Sequence, residues 1–208
     1  MPIYPDQKLI FVHIPKTGGG TISTLMRPFE PGQPTSPFGR ATAHLPVVQN
    51  VSQVHLGTHD SAAWIRRKIG KRLWQEWHSF AVVRDPYDRA ISEYEYLRQT
   101  DTHRRHQRAL GQSFVEFLTT EPRRRAVQSA LLADRAGNLL VKEIARFETL
   151  GRDVNAIFER QGVAIRLDTV RRNTSIKKDR DHYLTDEAVA IINRRNADDF
   201  RLLGYPML

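Results

Sequence analysis

Residues 8–21 read KLIFVHIPKTGGGT, and no other stretch of the chain restricts its fold as strongly. Leu9-Ile10-Phe11-Val12 is an apolar run of strand length, followed by Pro15, Lys16, Thr17, three glycines and Thr21. This order predicts a buried strand that breaks at Pro15, turns through Gly18, Gly19 and Gly20, and enters a helix near Thr21. Glycines let backbone N–H groups come close to an anion, and a helix N-terminus adds partial positive charge. Lys16 brings a full charge, and Thr17 and Thr21 bring hydroxyl donors. The stretch reads as a phosphate cradle. It is not the G-x-x-x-x-G-K-[ST] loop, because here the lysine precedes the glycines. The plainer reading is a glycine-rich turn with a solvated lysine, but three successive glycines carry an entropic cost that an ordinary turn does not require.

Residues 80–97, FAVVRDPYDRAISEYEYL, form the second informative stretch. Phe80-Ala81-Val82-Val83 predicts a short strand ending at Arg84, and Asp85-Pro86 marks a turn with Asp85 as turn former. An amphipathic helix follows from about Tyr87, with Ala90, Ile91, Tyr94 and Leu97 at helical spacing. Arg84 therefore stands at a strand end, with Ser92 in the next helix. Open α/β sheets bind ligands outside the carboxyl ends of their strands. Lys16 with its backbone amides, and Arg84 with Ser92, are thus suited to two separate phosphates. Two other readings stand beside this one: a Walker-B-like strand in which Asp85 holds a metal, and a structural Arg84 paired to Asp85, Asp88 or Glu93.

Together the two stretches resemble the sulfotransferases that use 3′-phosphoadenosine-5′-phosphosulfate (PAPS), closest to the branch of bacterial and Golgi carbohydrate O-sulfotransferases. Residues 59–80, ARFETLGRDV (145–154) and DDFRLLGY (198–205) extend the resemblance in family order. It implies a P-loop-like, three-layer α/β sandwich with a mainly parallel sheet, formed by residues 1–208 as a single domain. It further implies that Lys16, Thr17, Gly18, Gly19, Gly20 and Thr21 grip the 5′-phosphosulfate. Arg84 and Ser92, eight residues apart, would grip the 3′-phosphate. Lys16 is the implied partner of the leaving phosphate oxygen, and a histidine just before the helix at 61–77 is the implied base. His59 fits that place best and His55 rivals it. His59 could equally cap or pack the helix, and Thr58-His59-Asp60 departs from the usual family context. PAPS would be the co-substrate and 3′-phosphoadenosine-5′-phosphate (PAP) the product. No metal is expected, because the transferring group is less anionic than a phosphoryl.

Composition narrows the partners. The net charge is +9, which calls for anionic partners, yet no zinc-finger, homeodomain or RNP pattern argues for nucleic acid. The densest basic clusters, residues 103–108 and 123–125, read as solvated helix faces or as the lining of an acidic acceptor's groove. No apolar run reaches membrane-spanning length, and no signal-peptide pattern is present. The absence of cysteine suits a reducing, cytoplasmic setting. The acceptor is expected to be a carbohydrate or another hydroxyl-bearing molecule, and the basic clusters suit an anionic one. Competing functions are an atypical P-loop kinase and a PAP-binding module without turnover.

The rest of the chain supplies the frame. Prolines and glycines between 28 and 46 mark a long loop suited to lie over an acceptor. Helices are expected at 61–77, 113–119 with Ser113 as cap, 124–133, 149–161 and 186–203. Further strands are expected at Leu140–Ile144 and Val163–Leu167. His13 reads as a core or sheet residue and His44 as a loop residue able to touch substrate. Asn173 and Lys177 read as surface-loop residues.

Overall fold

The computed structural model describes residues 2–32, 37, 41–42, 44–122, 126–167 and 179–208. In chain order the elements are β1 (Ile3–Tyr4), β2 (Leu9–Val12), α1 (Gly19–Met26), α2 (Ala62–Ile69), α3 (Lys71–Glu76) and β3 (His78–Val83). There follow α4 (Pro86–Gln99), α5 (His106–Leu110), α6 (Phe114–Thr120), α7 (Ser129–Leu132), β4 (Glu143–Arg146) and α8 (Leu150–Arg160). Helices α9 (Arg180–Tyr183), α10 (Asp186–Arg195) and α11 (Ala197–Leu203) close the chain. The chain forms two compact units, residues 1–14, 18–83 and 131–170 in the first, and 15–17, 84–130 and 171–208 in the second.

The first unit holds the sheet, in order β1-β2-β3-β4. β2, β3 and β4 are parallel, in register Phe11↔Phe80 and Val82↔Ala145, and β1 adds an antiparallel edge. Leu9, Phe11, Phe80, Val82 and Ala145 pack with Ile22 and Met26 of α1 and Val154, Ile157 and Phe158 of α8. The alternate residues Ile10, Val12, Ala81 and Val83 are fully buried too, so both faces of the sheet are covered. This is the mainly parallel α/β three-layer sandwich that the sequence predicts. Its centre is aromatic: Phe11 stacks on Phe80 at 4.9 Å, and Phe158 meets Phe80 edge-on at 6.3 Å.

The second unit is helical, built on Tyr87, Ile91, Tyr94 and Leu97 of α4 against Phe114, Phe117, Ile191, Ile192 and Phe200. Asp85 caps α4 by accepting from the N–H groups of Tyr87 (2.9 Å) and Asp88 (3.0 Å). Ser113 and Glu116 form a capping box at α6.

Five expectations shift. The helix expected at 61–77 is two helices, because Gly70 (φ 86, ψ 152) takes a backbone conformation closed to other residues. The terminal helix breaks at Asn196, whose side-chain amide donates to Ala126 O at 2.9 Å and Asp199 Oδ2 at 3.3 Å. β4 begins at Glu143, not Leu140, since its register on β3 opens with Phe80↔Glu143. Residues 163–167 join no strand: Leu167 N–H donates to Asn155 Oδ1 (2.7 Å), and its carbonyl accepts from Asn155 Nδ2 (3.0 Å). Of the expected 124–133 helix, Ala126 and Ser129–Leu132 are α-helical among the described residues, with Val127 and Gln128 outside any helix. Arg123–Arg125, Asn173 and Lys177 lie outside the described residues, as does much of the 28–46 loop.

Because Phe80 is fully buried between two other rings, Phe80→Ala is expected to cost about 3–5 kcal/mol. Urea denaturation should show a lower midpoint with an unchanged slope.

Candidate active site

The glycine half of the loop belongs to the first unit, and its three glycines have three different reasons. Gly18 caps α1 in the left-handed region (φ 81), and a Cβ there would lie 2.8 Å from Leu150 Cδ2. A Cβ on Gly19 would lie 2.3 Å from His13 Cδ2 and 2.4 Å from His13 Nε2. Gly20 is exposed, and a Cβ there would meet nothing within 4 Å. Packing therefore demands the first two glycines, and Gly20 is the exposed one of the three. Thr21, also exposed, closes the turn through its N–H to Gly18 O at 3.2 Å.

His13 follows the last residue of β2 and lies beneath this turn, stacked on Phe11 at 5.4 Å. Burial above all, with the neighbouring His59 second, pushes its pKa down to about 3, so its ring is neutral at ordinary pH. The His59 ring meets it edge-on at 4.6 Å, and His59 Nδ1 lies 3.0 Å from the His13 carbonyl. A carbonyl oxygen only accepts, so Nδ1 carries the hydrogen. Nε2 is then the basic nitrogen of a neutral His59. His55 has other company. Its ring meets His44 at 4.8 Å, and its N–H donates to Gln49 Oε1 at 3.1 Å. Gln49 and the fully buried Lys68 fasten the segment around His44, through Gln49 Nε2 to Thr42 O (2.8 Å) and Lys68 Nζ to Leu45 O (3.1 Å).

Pro15–Thr17 group with the second unit, together with Arg84, Ser92 and Tyr96. Lys16 is non-glycine yet adopts φ 67, a conformation that costs energy and recurs at functional sites. Arg84, 8% exposed, donates from Nη1 to the Lys16 carbonyl at 3.3 Å. The Lys16 ammonium stands over the Tyr96 ring at 3.7 Å. Ser92 is buried one helical turn before Tyr96 on α4, and Thr17 is fully buried. The carboxylates considered as structural partners of Arg84 are engaged elsewhere. Arg180 pairs with Asp85 (3.5 Å) and Asp88 (3.3 Å), and Arg105 pairs with Glu93 (3.5 Å) and Glu121. That also makes Arg105 of the 103–108 cluster a structural ion-pair residue, whereas Arg104 and Arg108 are exposed.

Sequence reasoning passed over Tyr96 and Gln128. Tyr96 had a signal, its helical spacing from Ser92. Gln128, which binds both backbone groups of Arg84, had none. The first unit offers a glycine backbone and the Thr21 hydroxyl, and the second an ammonium, a guanidinium and the hydroxyls of Thr17 and Ser92, groups suited to anions. No group of three or more His, Cys, Asp or Glu among the described residues is placed to hold a metal ion. Among them, too, no helix is long and apolar enough to cross a membrane.

A family model described as "Sulfotransferase family" matches residues 2–206. An uncharacterized protein of Archaeoglobus fulgidus is 28% identical over 116 residues, covering 54% of this chain and 91% of its own. No solved structure matches the chain.

The glycines separate by substitution. Gly20→Ala should raise stability by about 0.5–1 kcal/mol, since alanine favours helix at an unobstructed position. Gly19→Ala should lower it by about 1–3 kcal/mol through overpacking on His13. Chemical denaturation of the two variants measures both. The buried His13 also sets a pH dependence. Its native pKa lies below its unfolded value of 6.5, so the unfolded chain binds the extra proton and stability falls as pH drops below 6.5. The slope is at most about 1.4 kcal/mol per pH unit. Between about pH 5 and 6.5, above the carboxylate range, His13→Phe should flatten the stability curve. His78, also held below its ordinary value by burial, adds to the slope in the same direction.

Proposed function

The chain belongs to the sulfotransferase family, and on that footing we propose that it transfers the sulfuryl group of PAPS to a hydroxyl of a carbohydrate or related acceptor by in-line displacement. Residues 1–208 serve as one sulfotransferase domain in this reading, and the lack of cysteine suits a cytoplasmic setting. The observation that carries the proposal is the bond from Arg84 Nη1 to the Lys16 carbonyl at 3.3 Å. It makes neighbours of two cation-bearing turns, as a nucleotide phosphorylated at both ends requires.

The roles follow from charge and hydrogen-bonding capacity. Arg84 and Ser92 hold the 3′-phosphate. Lys16, Thr17 and the turn Gly18–Thr21 hold the 5′ side. The donor supplies a sulfuryl group activated by its bond to phosphate. His59 Nε2 takes the acceptor's hydroxyl proton as the new O–S bond forms. The Lys16 ammonium neutralises the phosphate oxygen as its bond to sulfur breaks. Tyr96, beneath that ammonium, keeps it from wandering into solvent when no donor is present. The Nδ1–H of His59, donated to the His13 carbonyl, favours it over His55 as base by fixing the ring and its tautomer.

PAP should raise the melting temperature in the absence of any metal. Stabilisation by ATP with magnesium and none by PAP would replace this reading with the kinase one. Arg84→Ala and Lys16→Ala should each weaken PAP binding by about 1.5–3 kcal/mol, the worth of a charge-assisted contact. His59→Ala should leave PAP binding intact and abolish transfer from labelled PAPS to a glycan panel. Should His55→Ala do so instead, the base is His55. PAP binding without transfer to any acceptor would favour a binding module.

A further inference from the structure

Arg84 is the first residue beyond the last paired position of β3, where its backbone N–H and C=O lose their ladder partners. One side chain replaces the ladder. The Arg84 N–H donates to Gln128 Oε1 at 2.9 Å, and Gln128 Nε2 donates to the Arg84 carbonyl at 2.8 Å. The amide's oxygen faces a donor and its nitrogen faces an acceptor, so the side chain has a single satisfying orientation. Gln128 is fully buried and is itself held. Its own N–H donates to Asp199 Oδ2 (2.8 Å), and the next N–H, of Ser129, donates to Asp199 Oδ1 (2.7 Å). Asp199 is also fully buried and takes a further bond from Asn196 Nδ2 at 3.3 Å. All of these residues belong to the second unit.

A residue at a strand end can point its side chain in many directions, because nothing beyond the ladder fixes its φ and ψ. Here both polar groups of the Arg84 backbone are fixed by an amide that is anchored through a buried carboxylate on α11. We propose that Gln128, clamped by Asp199, is the positioning residue of the 3′-phosphate grip: it fixes the backbone from which the Arg84 guanidinium departs. The proposal rests on the reading of Arg84 as the 3′-phosphate ligand. An anchor of this kind sets selectivity for a 3′-phosphate without touching the nucleotide.

The test compares PAP with adenosine 5′-phosphate, which lacks the 3′-phosphate, by calorimetric titration of the full chain. The wild type should prefer PAP, and Arg84→Ala should remove most of that preference. Gln128→Met keeps the volume and deletes both bonds to Arg84. It should shrink the PAP preference by on the order of tenfold, what one hydrogen bond to a charged group supports, while adenosine 5′-phosphate affinity stays within about twofold of wild type. Asp199→Asn keeps the shape and swaps one acceptor for a donor. It should shrink the preference in the same direction, and it carries the test if Gln128→Met does not fold. Affinities for both nucleotides falling together would show a purely structural role and overturn the proposal. A preference unchanged in both variants, but lost in Arg84→Ala, would sink the Gln128 assignment alone. No preference in the wild type would remove the Arg84 reading, and this proposal with it.

Discussion

The bond between the Arg84 guanidinium and the Lys16 carbonyl joins two turns separated by 68 residues of chain. Lys16 pays for its place with a left-handed backbone, φ 67, which only a surrounding structure can hold. A guanidinium donor on the peptide oxygen of that residue is one such hold, and the aromatic face of Tyr96 under the ammonium is another. Both hold the Lys16 ammonium in place, and in the proposed reaction that is where charge develops. A preorganised cation acts without reorganising at the moment of reaction.

The glycine turn illustrates how packing and function share one motif. Gly18 and Gly19 are required by the fold, one by its left-handed conformation and one by the His13 ring beneath it. The same His13 contributes its carbonyl to His59 and so orients the base of the proposed mechanism. A buried, neutral histidine is the means by which the turn and the base share one support. Acidification acts on that support directly, because a proton on His13 would place an uncompensated charge under the glycines.

In the second unit several polar groups are buried as fully as the apolar ones. Arg89 is 3% exposed, and burial pushes its guanidinium below its ordinary value while Glu93, Asp199 and Glu121 oppose the shift. Arg105 reaches Glu93 and Glu121, and Arg195 reaches the Glu121 carbonyl. Such pairs add little net stability, yet losing one partner leaves an unpaired buried charge. These contacts join α4, the turn before α5, the end of α6 and the end of α10.

Local chemistry was enough for the sequence to determine the strand Leu9–Val12, the turn after it, the turn at Asp85, the Ser113 cap, and the strand end carrying Arg84. Each of these depends on residues within a few positions of one another, and the two motifs that carry the family resemblance are of this kind. Tertiary structure alone decided the rest. Glycine at position 70 and asparagine at 196 break helices whose periodicity runs straight through them, because Gly70 turns the backbone and Asn196 spends its amide on Ala126 and Asp199. Val163–Leu167 has strand composition, but Asn155 takes the hydrogen-bonding groups of Leu167 before any ladder can. Gln128 reaches Arg84 across 44 residues and Asp199 reaches Gln128 across 71. Periodicity reports which face of an element is apolar; it carries no information about which distant polar atom completes a backbone left open at a strand end.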